Sequence, residues 1–176
     1  MLSLRLATLL DREQLMDLYR GAQQWLAERG LPQWQPRPGD EGPFLSRVRA
    51  KFADAIEADT CYLVLVDGEL AGTITLDEYA DPDFWGPDDD PRDALYVHRM
   101  IIDRRYAGQK VGAEVLDWAA GEAARQGKKW LRLDAWQTNG ELHGYYRRQG
   151  FEHVRTLNYT HRPSGALFQR ATGLIR

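Results

Sequence analysis

The stretch Leu95-Tyr-Val-His-Arg-Met-Ile-Ile-Asp-Arg-Arg-Tyr-Ala-Gly-Gln-Lys-Val-Gly112 decides how the rest of the chain is read. Residues 95–102 form a hydrophobic run rich in β-branched side chains, the pattern of a buried strand. The charged turn Asp103-Arg104-Arg105 ends it, and a helix follows at once. Gly108 and Gly112 bracket the junction, so the backbone can bend tightly and a ligand can approach it closely. A strand feeding such a turn and then a helix leaves several amide N–H groups unpaired at the positive end of the helix dipole. That is an anion site, suited above all to phosphates. Neither G-x-x-x-x-G-K-[ST] nor G-x-G-x-x-G is present, which argues against nucleotide hydrolysis and dinucleotide binding.

With 176 residues, 43% hydrophobic and 28% charged, the composition is that of one domain with a core of useful size. The formal net charge is -3, and no run of Lys or Arg exceeds two residues. No electrostatic footprint for nucleic acid or an anionic membrane is therefore expected. No segment approaches the ~18 consecutive apolar residues of a membrane span, and no leader pattern opens the chain, so a cytoplasmic protein is expected. The single cysteine, Cys61, cannot form an internal disulfide or a cysteine metal cluster, and it leads a strand-like run that suits core packing.

Residues 3–7 alternate weakly as a first strand, and Asp11 is placed to cap a helix running to about Arg29, closed by Gly30. Residues 31–42, rich in proline and glycine, read as an ordered turn or a lid, and a second helix is expected from about Pro43 to Ala58. Asp67-Gly68 joins the strands Cys61–Val66 and Glu69–Leu76 as a hairpin. The acidic stretch 77–93 carries Phe84 and Trp85; it reads either as a solvated loop or as an aromatic, acidic rim that gathers a cationic substrate. After the glycine turn come a helix to Gly127, an alternating strand Trp130–Trp136, and a helix opened by the capping box Thr138-Asn-Gly-Glu141 and closed at Gly150. Two strands, Phe151–Tyr159 and Ala166–Ala171, complete a mixed α/β sheet.

The run from Met100 to Gly112 resembles motif A of the GNAT N-acetyltransferase superfamily, whose R/Q-x-x-G-x-G/A turn holds the pyrophosphate of acetyl-CoA. Ala107 stands in place of the usual Arg or Gln and Lys110 in place of the first Gly. Asn139-Gly-Glu-Leu-His-Gly-Tyr-Tyr146, followed by Gly150-Phe151, resembles motif B, with Leu142 replacing the usual small residue. Two motifs at the right separation are far more specific than one, and the resemblance covers roughly residues 3–160. It implies a single GNAT domain over residues 1–176: a central, mixed but mostly antiparallel sheet, flanked by about four helices and splayed in a V at the CoA site.

The implied activity is direct transfer of the acetyl group of acetyl-CoA to a primary amine, expected to be that of a small molecule. Acetylation of a protein N-terminus or lysine, and a catalytically silent acyl-CoA-binding module, are the alternatives. By the same resemblance, Met100, Ile101, Ile102, Ala107, Gly108, Gln109, Lys110, Val111, Gly112, Ala113, Asn139 and Tyr146 contact the CoA, and Tyr146 is also the general acid. The position where such families carry a catalytic glutamate holds His98, a candidate base with an unperturbed pKa of ~6.5, ahead of Glu78, Asp77 and Asp134. The four histidines show no metal-ligand spacing, so no metal is expected. A homodimer is compatible with the resemblance.

Overall fold

The computed structural model describes residues 1–173. In chain order it contains strand β1 (Leu2–Leu6), helices α1 (Arg12–Glu28) and α2 (Glu41–Glu57), strands β2 (Cys61–Val66), β3 (Glu69–Asp77) and β4 (Ala94–Ile102), helix α3 (Val111–Arg125), strand β5 (Trp130–Ala135), helix α4 (Gly140–Arg148), and strands β6 (Glu152–Thr156) and β7 (Ala166–Ala171). The strands form one sheet in the order β1-β2-β3-β4-β5-β7-β6. Pairing is antiparallel for β1–β2, β2–β3, β5–β7 and β6–β7, and parallel for β4–β5. The β4–β5 register runs from Ala94↔Trp130 to Val97↔Leu133.

Contacts divide the chain into two compact units that share β3 and β4. One comprises Met1–Thr75 and Arg99–Val111; the other comprises Leu76–His98 and the chain from Gly112. The first unit is built on an apolar cluster of Leu15, Met16, Tyr19, Phe52, Ile56, Cys61, Leu63 and Ile101. Residues 31–40 form an ordered turn on α1: Trp34 stacks on Tyr19 with ring centroids 5.0 Å apart, and Gln23 Nε2 donates to the Trp34 carbonyl at 2.8 Å. Asp11 does not cap α1 through its side chain as expected. Its carboxylate instead accepts from Arg5 and from the Thr8 amide and hydroxyl, closing a 3-10 turn over Leu9–Asp11, and the Arg5 guanidinium holds it far below the usual carboxylate range. Asp67 and Gly68 both take positive φ, as the two-residue hairpin turn requires.

In the second unit, Leu131, Leu133 and Ala135 are buried as their alternation predicts, but Arg132 on the opposite face is also only 4% exposed. Residues 77–93 explain this. Phe84 and Trp85 are buried with Ala94, Tyr96 and Leu167 in a second apolar cluster, so the stretch is a cover layer on the sheet rather than a solvated loop or an open aromatic rim. Arg132 lies over the Trp85 ring at 4.6 Å and donates to the Asp89 carbonyl at 2.7 Å. Among the described residues no helix is long and apolar enough to cross a membrane.

Candidate active site

The turn between β4 and α3 is built from the sequence outward. Asp103 accepts from the Arg105 amide at 2.9 Å and starts a 3-10 turn over Arg104–Tyr106, and the Arg105 guanidinium holds its carboxyl below the ordinary range. Gly108 then takes φ 78° and Lys110 φ 63°, and α3 begins at Val111. The positive φ of Gly108 and Lys110 bends the chain into α3, whose first amides have no earlier carbonyl of their own helix to bond. Within the turn, the Ala107 and Gln109 amides already donate to the Arg104 and Tyr106 carbonyls, at 3.1 and 3.2 Å. Lys110 shows what its departure from motif A means: it occupies a left-handed conformation that glycine adopts at no steric cost.

Where the β4–β5 register ends, the next residues along the two strands are His98 and Asp134. Arg99 then has φ 45° inside β4, a left-handed residue that breaks the strand's alternation in the manner of a bulge. His98 Nε2 lies 3.0 Å from Asp77 Oδ1, at the end of β3, and the two side chains are 19% and 22% exposed. The same oxygen accepts the Tyr79 amide at 2.9 Å, while the exposed Tyr79 ring stands 6.4 Å from the imidazole. Burial pushes the Asp134 carboxyl above its ordinary range; Asp81 adds to this, whereas His98, a hydrogen bond from Ser164 and Arg162 oppose it.

Tyr146, on α4, packs its ring against Phe151 and Phe168 at 5.6 and 6.0 Å. Burial, and secondarily Tyr145 and Asp134, raise its hydroxyl far above the usual tyrosine range, so at neutral pH the phenol keeps its proton. Asn139 is buried, and its side chain accepts from the Leu142 amide at 3.1 Å. The cap of α4 is therefore Asn139 and not Thr138, one residue later than the capping-box pattern suggests.

The structure thus brings His98, Asp77 and Asp134 together, with Asp134 also acting on Tyr146. The Glu78 carboxylate, at an exposed position, is paired with Lys128. Phe84 and Trp85, expected to offer rings to a ligand, are buried beneath the chain's own arginines: Arg162 lies 4.6 Å from the Phe84 ring, and Arg132 and Arg155 cover Trp85. Much of the acidic stretch is likewise committed. Asp81 and Asp83 bind Arg162, Asp89 binds Arg155 and Asp93 binds Lys129. Tyr79 and Ser164 are the neighbours of the His98 cluster that sequence reading missed; neither lies in a motif, and only the fold brings them there.

Residues 14–151 match the sequence profile of the Acetyltransferase (GNAT) family. The chain is 33% identical over 146 residues to the N-acetyltransferase YesJ of Bacillus subtilis (strain 168), itself uncharacterized, covering 81% of this chain and 77% of YesJ. Among solved structures, it superposes on a GNAT-family acetyltransferase from Listeria monocytogenes 4b F2365 with a TM-score of 0.76 at 24% identity, over 97% of this chain and 94% of that one. It also superposes on the PaiA N-acetyltransferase from Thermoplasma acidophilum, solved in complex with coenzyme A, with a TM-score of 0.73 at 17% identity, over 97% and 99% of the two chains. The strand–turn–helix and Asn139/Tyr146 signatures, the mixed sheet and the matched profile agree: this chain belongs to the GNAT acetyltransferase family and is an N-acetyltransferase, an acyltransferase.

Proposed function

We propose that the enzyme moves the acetyl group of acetyl-CoA to the primary amine of a small molecule, with His98 as the base and Tyr146 as the acid. The observation that carries this reading is the His98 imidazole bonded at 3.0 Å to the Asp77 carboxylate, with Tyr146 at the position to which the family resemblance gives the acid. In the reaction a C–N bond forms and the C–S bond of the thioester breaks. The amine nitrogen, arriving as ammonium, sheds two protons: one passes to solvent before attack and His98 receives the other, while Tyr146 gives a proton to the departing thiolate and regains one from solvent. Amides of residues 108–113 would bind the pyrophosphate, aided by Lys110 and by contacts from Ala107 and Asn139, while the backbone of Met100–Ile102 would lie along the thioester arm.

The preference for a small acceptor rests on charge: the partly exposed Asp77 carboxylate beside His98 can attract an ammonium group. The test is thiol release from acetyl-CoA with tyramine, spermidine, glucosamine and a short peptide with a free N-terminus as acceptors. Turnover with one or more of the small amines is expected; turnover with the peptide alone would overturn the acceptor class. Binding has its own check. Gly112→Val should weaken CoA affinity measured by calorimetry, whereas Cys61→Ala, in the other unit's core, should not.

A further inference from the structure

The bond between His98 and Asp77 does more than place an imidazole. A carboxylate oxygen only accepts, so at 3.0 Å the hydrogen between Oδ1 and Nε2 belongs to the ring, and in the neutral imidazole the unprotonated nitrogen is then Nδ1. Asp77 is itself held on two counts: it ends β3, and its Oδ1 accepts the Tyr79 amide two residues on. The charged or aromatic groups facing the ring are Asp77 from β3, Asp134 from β5 and the Tyr79 ring from the cover layer.

We infer that Asp77 is a positioning residue for catalysis: it fixes His98 as the Nε2–H tautomer, so that Nδ1 takes the proton of the attacking amine, and it then faces the imidazolium that results. This rests on the reading of His98 as the base. In the step, the amine lone pair forms the bond to the acetyl carbon, the N–H proton passes to Nδ1 and leaves its electron pair on nitrogen, the C–S bond breaks with its pair going to sulfur, and solvent removes the proton from Nδ1 after the product leaves. No further reactant is needed.

Two measurements test it. In thiol release with the best acceptor of the panel above, Asp77→Asn should lower kcat roughly 10- to 100-fold with the KM for acetyl-CoA unchanged, and Asp77→Glu should recover part of the loss. Placed in a His98→Ala background, Asp77→Asn should cost nothing more, because a positioning residue has no one left to position. Wild-type kcat in Asp77→Asn, or losses that add in the double variant, would overturn the inference while leaving His98 as base. Wild-type turnover in His98→Ala would overturn both. The second measurement needs no substrate: in ¹⁵N-histidine spectra of the free enzyme, the resonance absent from His98→Ala should carry its proton on Nε2 in the neutral form. A proton on Nδ1 would refute the tautomer directly.

Discussion

Asp134 and Lys110 are each held where an ordinary protein would not hold them. Burial raises the Asp134 carboxyl, so at neutral pH its ionised form destabilises the fold, and the penalty fades as pH falls through the folded-state value. Asp134→Asn should therefore raise Tm at pH 7, with the gap to wild type narrowing in acid, while the KM for the amine rises because a local negative charge is gone. A lower Tm at pH 7 would contradict this account of the residue. Lys110 stands at φ 63°, where L side chains are strained by about 1 kcal/mol and glycine is not. Lys110→Gly should stabilise the protein by about 0.5 kcal/mol once the greater freedom of glycine in the unfolded chain is subtracted, a change readable by urea denaturation.

Among the elements, β3 and α4 are the most exacting. A Cβ at Gly72 would lie 2.3 Å from the Ile101 carbonyl oxygen, a backbone atom that cannot swing aside. Gly72→Ala should cost about 1–3 kcal/mol in chemical denaturation, and a neutral result would mean β3 and β4 approach less closely than described. Most elements were legible in the sequence because each had its own local signal: the Asp67-Gly68 turn, the Cys61–Val66 run and the four-residue spacing of Phe44, Val48, Phe52 and Ile56. Two helix starts differ from the sequence reading. α2 starts at Glu41 rather than Pro43, and α4 uses Asn139 rather than Thr138. The cover layer was not legible, since acidic residues around two aromatics have the same composition whether they line a rim or fold down onto arginines of the same chain. Its partners Arg132, Arg155 and Arg162 lie far along the chain. His98 and Tyr146 could be singled out by their offsets within motifs, whereas the bond from His98 to Asp77 spans 21 residues with no pattern to announce it.

Across the whole molecule, charge pairs set the response to pH. Asp11 with Arg5, Asp89 with Arg155 and Asp103 with Arg105 all have carboxyls held below their ordinary range, each chiefly by its arginine partner. The stability they contribute is present above the unfolded carboxylate range near pH ~4 and is lost as pH falls through their depressed folded values, so urea resistance should decline below about pH 4. Constant urea resistance from pH 7 to pH 3 would contradict it. Asp89 carries more than charge, because Arg155 also donates to the Phe84 carbonyl at 2.6 Å and lies over Trp85. Asp89→Asn should thus lower stability by about 1 kcal/mol with kcat unchanged, whereas Asp88→Asn, at an exposed position, should change neither stability nor kcat.

In the proposed reaction the Tyr146 phenol keeps its proton until the departing thiolate takes it. Tyr146→Phe removes the hydroxyl and keeps the ring on Phe151 and Phe168, so steady-state thiol release at saturating acetyl-CoA and amine isolates that one proton. The predicted result is a kcat lower by roughly 10- to 10³-fold. Wild-type kcat in Tyr146→Phe would contradict it.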